Sequence, residues 1–171
     1  MRKFILNNAQ LFQRIETVEN KQIETEKRID QLLDALDSGT VKPKQGIFYD
    51  GQIFDAYLFV SDLIKSAKHS LVLIDNYVDE SVLYLFSKRN VNVSTTIYTQ
   101  KISTKLKLDL EKHNAQYETI DVKEFKQSHD RFLIIDNTDI YHFGASLKDL
   151  GKKWFAFSKF EKGAVEMLGK L

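Results

Sequence analysis

Cysteine is absent from the 171 residues, proline occurs once and glycine seven times. Without cysteine there is neither a disulfide scaffold nor a thiolate metal site, and a reducing, cytoplasmic setting is expected. An excess of charge of one sign is missing too, since 25 Lys and Arg face 24 Asp and Glu. The whole molecule is therefore no electrostatic magnet for nucleic acid or anionic lipid, and only a local patch could serve that purpose. Long apolar runs are lacking as well. Phe4-Ile5-Leu6 falls short of a secretory signal, and no stretch is long enough to span a membrane, so no membrane partner is expected. There is no Walker loop and no Gly-x-Gly-x-x-Gly turn, and Gly144-x-Ser146-x-Lys148 lacks the second glycine of a nucleophile elbow. His69, His113, His129 and His142 have no metal-ligand spacing, so no metal site is expected.

What is present is a chain with 43% hydrophobic residues, outside the disordered and collagen-like compositions and long enough for one globular domain plus an appendage. The appendage is the N-terminal segment. Phe4, Leu11, Ile15, Val18, Ile29, Leu32 and Leu36 recur in alternating steps of four and three, with Asn8, Gln22 and Thr25 at the remaining seam positions. No Gly or Pro interrupts the run. A helix lying on its own domain and a coiled coil both fit. The densely charged outer face and the polar seam positions, which can fix register, favour a homodimeric coiled coil. Gly39 is the expected C-cap. The division expected is a dimerisation helix over 1–38, a linker over 39–45 containing Pro43, and a folded domain over 46–171. Residues 1–45 carry eight basic and seven acidic side chains, leaving 17 of each for the domain.

From Gln45 onward short β-like runs alternate with helical patterns. Expected strands are 46–51, 70–75, 93–99, 117–125, 131–136, 140–145 and 154–160. Expected helices are 54–68, 81–88, 103–114 and 164–168, the first burying the side that bears Phe54, Tyr57, Leu58, Val60 or Ser61, Ile64 and Ala67. The unbroken apolar run Leu71-Val72-Leu73-Ile74 suits a strand covered on both faces. The order predicts an α/β sandwich with a mixed, mainly parallel central sheet behind the N-terminal helix.

Chemistry concentrates between Ser128 and Lys153. In a strand, His129 and Arg131 face the same side, so an imidazole and a guanidinium stand over one spot that suits a phosphate. Asp130 alternates to the other face. His142 shares parity with Gly144 and either faces the same pocket or packs. Lys148, Lys152, Lys153, Lys159 and Lys162 outnumber Asp149 and Glu161 and interleave with Trp154, Phe155 and Phe157. That pattern is either a grip on nucleic-acid backbone, with Lys152, Lys153 and Trp154 as contacts, or a solvated rim over a packed tryptophan.

These residues resemble the phospholipase D-like superfamily, whose signature is His-x-Lys, four residues, Asp, then about six residues and Gly-Ser-x-Asn. His129, the four-residue gap, Asp136 and Gly144 match; Arg131 replaces the Lys, Ala145 stands at the Ser, and no Asn follows. More narrowly, 128–136 together with 144–157 resembles a C-terminal domain of bacterial phage-antirepressor-related proteins, in which a helical connector follows a DNA-binding domain. The resemblance covers about residues 54–160. It implies an α/β/α sandwich and metal-free, cofactor-free phosphodiester chemistry. His129 would be the nucleophile, Arg131 the phosphate clamp and Asp136 an orienting group, with Ser146 and Lys148 as auxiliary phosphate ligands. A chain with one such motif needs a second copy to supply the second histidine. The expected activity is metal-independent cleavage of nucleic acid. The rival, suggested by Arg131, Ala145 and the missing Asn, is a catalytically silent dimerisation and phosphate- or protein-binding module serving a DNA-binding domain.

Overall fold

A computed structural model of the chain describes residues 2–37, 43–160 and 162–171. They fall into two compact units that meet at Pro43 and Lys44. The first is helix α1, Arg2–Asp37. Between exposed side chains its surface carries pairs one turn apart, such as Arg28 on Glu24 at 2.6 Å and Gln22 on Glu26 at 3.1 Å, which support a solvated helix. Leu11, Ile15, Val18 and Ile29 of the seam are exposed. The side chains of Phe4, Leu32 and Leu36, and residues 38–42 with the Gly39 cap, lie outside the described residues. No helix among the described residues is long and apolar enough to cross a membrane.

The second unit is a seven-stranded sheet with helices on both faces. In chain order it runs β1 (Gln45–Phe48), α2 (Ile53–Lys65), β2 (Ser70–Ile74), α3 (Glu80–Phe86), β3 (Ser94–Thr99), α4 (Thr104–Gln116), β4 (Asp121–Glu124), β5 (Arg131–Ile135), β6 (Asp139–Phe143), β7 (Phe155–Phe160) and α5 (Ala164–Leu168). The strand order is β1-β7-β6-β5-β2-β3-β4. Strands β1, β2, β3, β4 and β6 point one way and β5 and β7 the other. Only β2–β3 and β3–β4 are parallel neighbours; the remaining pairs are antiparallel. The mixed α/β sandwich is the one expected, its parallel character lying in strand direction more than in pairing.

One face of the sheet carries the main core. Ala56, Val60, Leu63 and Ile64 of α2, Val82 and Phe86 of α3 and Leu106 of α4 pack on Leu71, Leu73, Ile97, Leu133, Tyr141 and Phe157. Within this unit the other face is covered by α5, whose Ala164, Met167 and Leu168 meet Val72, Phe132, Ile134 and Ile140. That double cover explains the unbroken apolar run of β2. On α2 the buried stripe passes through Ala56, Val60 and Ile64, whereas Phe54 and Leu58 are exposed. Of the expected side, Val60, Ser61, Ile64 and Ala67 are buried and Tyr57 is partly buried; Phe54 and Leu58 turn outward because this helix is apolar on more than one side, so periodicity could not fix the edge of the buried stripe. Asp79 and Ser103 cap α3 and α4 by accepting the amide hydrogens of Ser81 and Leu106. The expected strand over 117–125 shrinks to Asp121–Glu124. Asn114 exchanges both of its amide groups with the backbone of Ile120, and the buried Arg89 donates to the carbonyls of Glu118 and Thr119, so those residues are satisfied outside the sheet.

The loop from β6 to β7 is locked onto the start of α2 at Gly151. Its φ is +68°, its carbonyl accepts the Gly51 amide at 3.0 Å, and a Cβ there would stand 2.5 Å from the Gln52 oxygen and the Ile53 Cα. Both obstacles are backbone and cannot turn aside. Gly151→Ala should therefore cost more than about 1 kcal/mol, read as a lower urea midpoint at unchanged slope; an unchanged midpoint would show that the loop yields.

Candidate phosphate site

The C-terminal ends of β2 and β6 and the N-terminal ends of β5 and β7 meet at one end of the sheet. There, a cavity of ≈ 550 Å³ is lined by Arg131, Ser146, Lys148, Lys152, Lys153 and Trp154, together with Tyr77 and Asp149. A second cavity, ≈ 480 Å³, lies on the α5 face and is mainly apolar, lined by Ile74, Phe132, Ile140, Phe160 and Met167. The cations of the 148–153 segment thus gather with Arg131 in the first.

That cavity is organised from below by a residue the sequence reading did not single out. Asp75, fully buried, follows the last residue of β2. One carboxylate oxygen accepts the Ser146 hydroxyl and the Leu147 amide, each at 2.8 Å, and the other accepts the Tyr77 amide at 3.0 Å. Burial pushes its pKa up; the donors from Leu147, Tyr77 and Ser146 and the charge of Arg131 pull it down, and the balance stays raised. The only signal in the sequence is a carboxylate placed directly after a run of buried apolar residues. Ser146 is accordingly corrected. It lines the cavity, but it is buried and its hydroxyl hydrogen is engaged by Asp75 or, at 3.0 Å, by the Tyr77 carbonyl, so it acts as a strut between β2 and β6 rather than as a phosphate ligand. Gly144 is there for close approach: its amide donates to the Ala156 carbonyl at 2.9 Å, and a Cβ would stand 3.3 Å from that same oxygen.

Arg131 opens β5. Its guanidinium carbon lies 5.8 Å from the Tyr77 ring centre, and its Nε is buried with no hydrogen-bond partner. Lys148 and Lys152 hold Asp149 between them at 3.0 and 2.9 Å. Lys152 and then Lys148 keep the Asp149 carboxyl below its ordinary range, and the hydrogen bond from Lys148 to Asp149 raises the Lys148 ammonium. Lys153 lines the cavity without an ion pair among the described residues. Two residues upstream of Arg131, His129 is exposed, makes no hydrogen bond among the described residues and lines neither cavity. The backbone beside it is held by Asn76, which donates to the Ser128 carbonyl at 2.7 Å. Of the two alternatives for His142, packing is the one found: its ring lies 5.5 Å from Phe132 and approaches Asp130 at 3.6 Å, on the α5 face and away from Arg131.

Asp136 is the largest correction. It follows β5 at the opposite end of the sheet from Arg131, where its carboxylate accepts the amides of Lys68, His69 and Ser70 at 2.7 to 3.1 Å. With φ of +52°, and +58° at Asn137, it also forms the β5–β6 turn. A residue five positions beyond Arg131 on an extended strand, where each step adds about 3.3 Å, is too far away to orient or charge-balance a group bound at Arg131. Burial pushes its pKa up, but the amides of Ser70, His69 and Lys68 and the charge of His69 together hold it below the ordinary carboxylate range. Stability from this cap is therefore present above the unfolded-state pKa and lost as pH falls through the lowered folded pKa. Asp136→Ala should cost about 1–3 kcal/mol near neutrality, with the gap to wild type closing on acidification. Urea unfolding across pH checks this, and a gap that does not depend on pH would refute the charged cap. Among the described residues no three His, Asp or Glu side chains are grouped to hold a metal ion.

No family model matches the chain, and no curated protein matches it. Among solved structures, the α/β fold is shared with NucT from Helicobacter pylori, at 14% identity over 74% of this chain and 91% of that one, with a TM-score of 0.53. TrmBL2, described as an archaeal chromatin protein with a novel mode of DNA binding, aligns at 15% identity over 93% of this chain, with a TM-score of 0.48. The chain spans 64% of the TrmBL2 chain. At these identities the likeness is one of fold.

Proposed function

We propose that the chain is a phospholipase D-like protein that binds and cleaves phosphodiesters of nucleic acid at the Arg131 cavity, in a cytoplasmic setting. The observation that carries this reading is the Arg131 guanidinium, which lines a cavity shared with Lys148, Lys152 and Lys153 and has a buried Nε with no partner. A phosphate in the cavity would be met by the guanidinium together with the lysines, and all four cations come from a domain whose 17 basic and 17 acidic side chains balance. His129 is the nucleophile in this reading. Its ring nitrogen bonds to phosphorus as the P–O bond to the leaving group breaks, and the leaving oxygen takes a proton from the second copy's His129. That imidazole then removes a proton from water, whose oxygen displaces the first His129 from phosphorus. The exposed imidazole, without a competing hydrogen bond among the described residues, is compatible with the attack.

Arg131→Ala should weaken binding of a short oligonucleotide about 10- to 100-fold, with a shallower salt dependence. His129→Ala should abolish cleavage while leaving binding in place, and wild-type cleavage should survive EDTA. Nuclease assays and anisotropy titrations read both; cleavage that persists in His129→Ala, or stops with EDTA, refutes the mechanism. A second reading, the silent module attached to a DNA-binding domain, is favoured by the Ser146 hydroxyl, which is committed to Asp75, and by the absence of any group orienting His129 among the described residues. Trapping a phosphohistidine on His129 separates the two.

Pairing of two copies is assigned to α1. Leu11, Ile15, Val18 and Ile29 are exposed on a helix that needs an apolar partner to be stable. Ile15→Asp with Val18→Asp should shift sedimentation from dimer to monomer at micromolar concentration, and an unchanged dimer would remove α1 from the interface.

A further inference from the structure

The chain has one tryptophan, and it stands in water at the rim of the phosphate cavity. Trp154 is 68% exposed, a poor position for a residue whose large apolar surface usually drives packing. It is nevertheless fixed. Its indole N–H donates to the Asp50 carboxylate at 2.9 Å, and Tyr49 meets it at 87° with ring centres 4.8 Å apart. The register explains the arrangement: β1 and β7 pair antiparallel with Phe48 opposite Phe155, so Tyr49 and Asp50 leave β1 beside the residue that enters β7. One edge of the indole is tied, Tyr49 covers at most one side, and the rest of the ring faces solvent. Trp154 and Lys153 both line the cavity that holds Arg131.

Resting on the phosphate reading above, we propose that Trp154 is a stacking platform for one unpaired nucleobase, so that the phosphodiester bound at Arg131 belongs to a single strand or a locally opened one. A ring held by its polar edge loses little freedom on stacking, and every base offers a face to it without regard to sequence. A paired base in a duplex has both faces covered by its neighbours and cannot stack on the indole without being unstacked first. Lys152 and Lys153, immediately before Trp154, meet the backbone on the side of the base's own phosphate. Asp50 and Tyr49 are positioning residues, acting only through the orientation of the indole.

The single tryptophan makes its own fluorescence the readout. The intact chain carrying His129→Ala, which preserves the ligand, is titrated with four probes: a single-stranded oligonucleotide, the same strand made wholly abasic, the matching duplex and inorganic phosphate. Anisotropy follows binding of the three oligonucleotides and intrinsic emission follows stacking. The base-bearing strand should quench Trp154; the abasic strand, the duplex and inorganic phosphate should leave its emission unchanged. Trp154→Ala should weaken the base-bearing strand roughly 5- to 150-fold and leave the abasic strand's affinity unchanged, with Trp154→Phe recovering part of the loss. Asp50→Leu should weaken the base-bearing strand alone, and Asp50→Asn, which keeps an acceptor oxygen, should restore it. Equal quenching by the abasic strand or the duplex, or equal loss of base-bearing and abasic affinity in Trp154→Ala, overturns the platform while leaving phosphate binding standing. Absence of Arg131-dependent binding for any strand overturns both.

Discussion

A buried carboxylate must be satisfied wherever it lies, and Asp75 is satisfied only if three parts of the chain are in place. Unpaired, it would cost several kcal/mol in the interior. The Tyr77 amide, the Ser146 hydroxyl and the Leu147 amide supply its donors, and Arg131 supplies the nearby charge. The end of β2, the turn after β6 and the start of β5 are thereby fixed relative to one another. The cavity between them is a consequence of satisfying one acid. Its lining faces outward from the donors that the acid has consumed, which is why Ser146 is at the site and yet has no hydrogen left to offer it.

Near-neutrality acquires a specific meaning in this setting. Asp149 bridges Lys148 and Lys152, so part of the local positive charge is already compensated, and among the described residues the cavity cations without an ion pair are Arg131 and Lys153. Long-range steering by such a surface is weak. Discrimination has to come from short-range geometry: a guanidinium braced against Tyr77 and an indole braced against Asp50 and Tyr49. Rigid groups of this kind offset a modest total charge because less freedom is lost when they engage.

Local patterns were legible wherever local physics decides structure. The apolar run of β2 announced a doubly covered strand, Ser103 announced a helix start, and the turn residues after Ile135 announced the β5–β6 hairpin. Arg131 and the lysines from 148 to 153 could be grouped because strand ends and short loops keep sequence neighbours together. What could not be read depends on contacts remote in sequence. Asp75 reaches Leu147 across 72 positions, Asp136 reaches Lys68 across 68, and Trp154 reaches Asp50 across 104. The exposed face of α2 was hidden for a different reason, since an apolar residue on a helix does not say which of two apolar sides will be covered.

Asp136 shows why a motif's spacing is not a statement about a site. His129, Arg131 and Asp136 are close in sequence, but an extended strand is the conformation that separates residues fastest, and β5 places its two termini at opposite ends of the sheet. The two functions therefore divide. The N-terminal end of β5 presents Arg131 to the cavity; the C-terminal end carries a carboxylate that turns the chain through two residues of positive φ and ties down the amides where β2 begins. Because β2 and β5 are antiparallel neighbours, paired from Leu71–Ile135 to Ile74–Phe132, securing the start of β2 to the end of β5 fixes the register by which Asp75 arrives beside Arg131. Asp136 acts on the Arg131 cavity through five residues of sheet, by deciding where the buried acid stands.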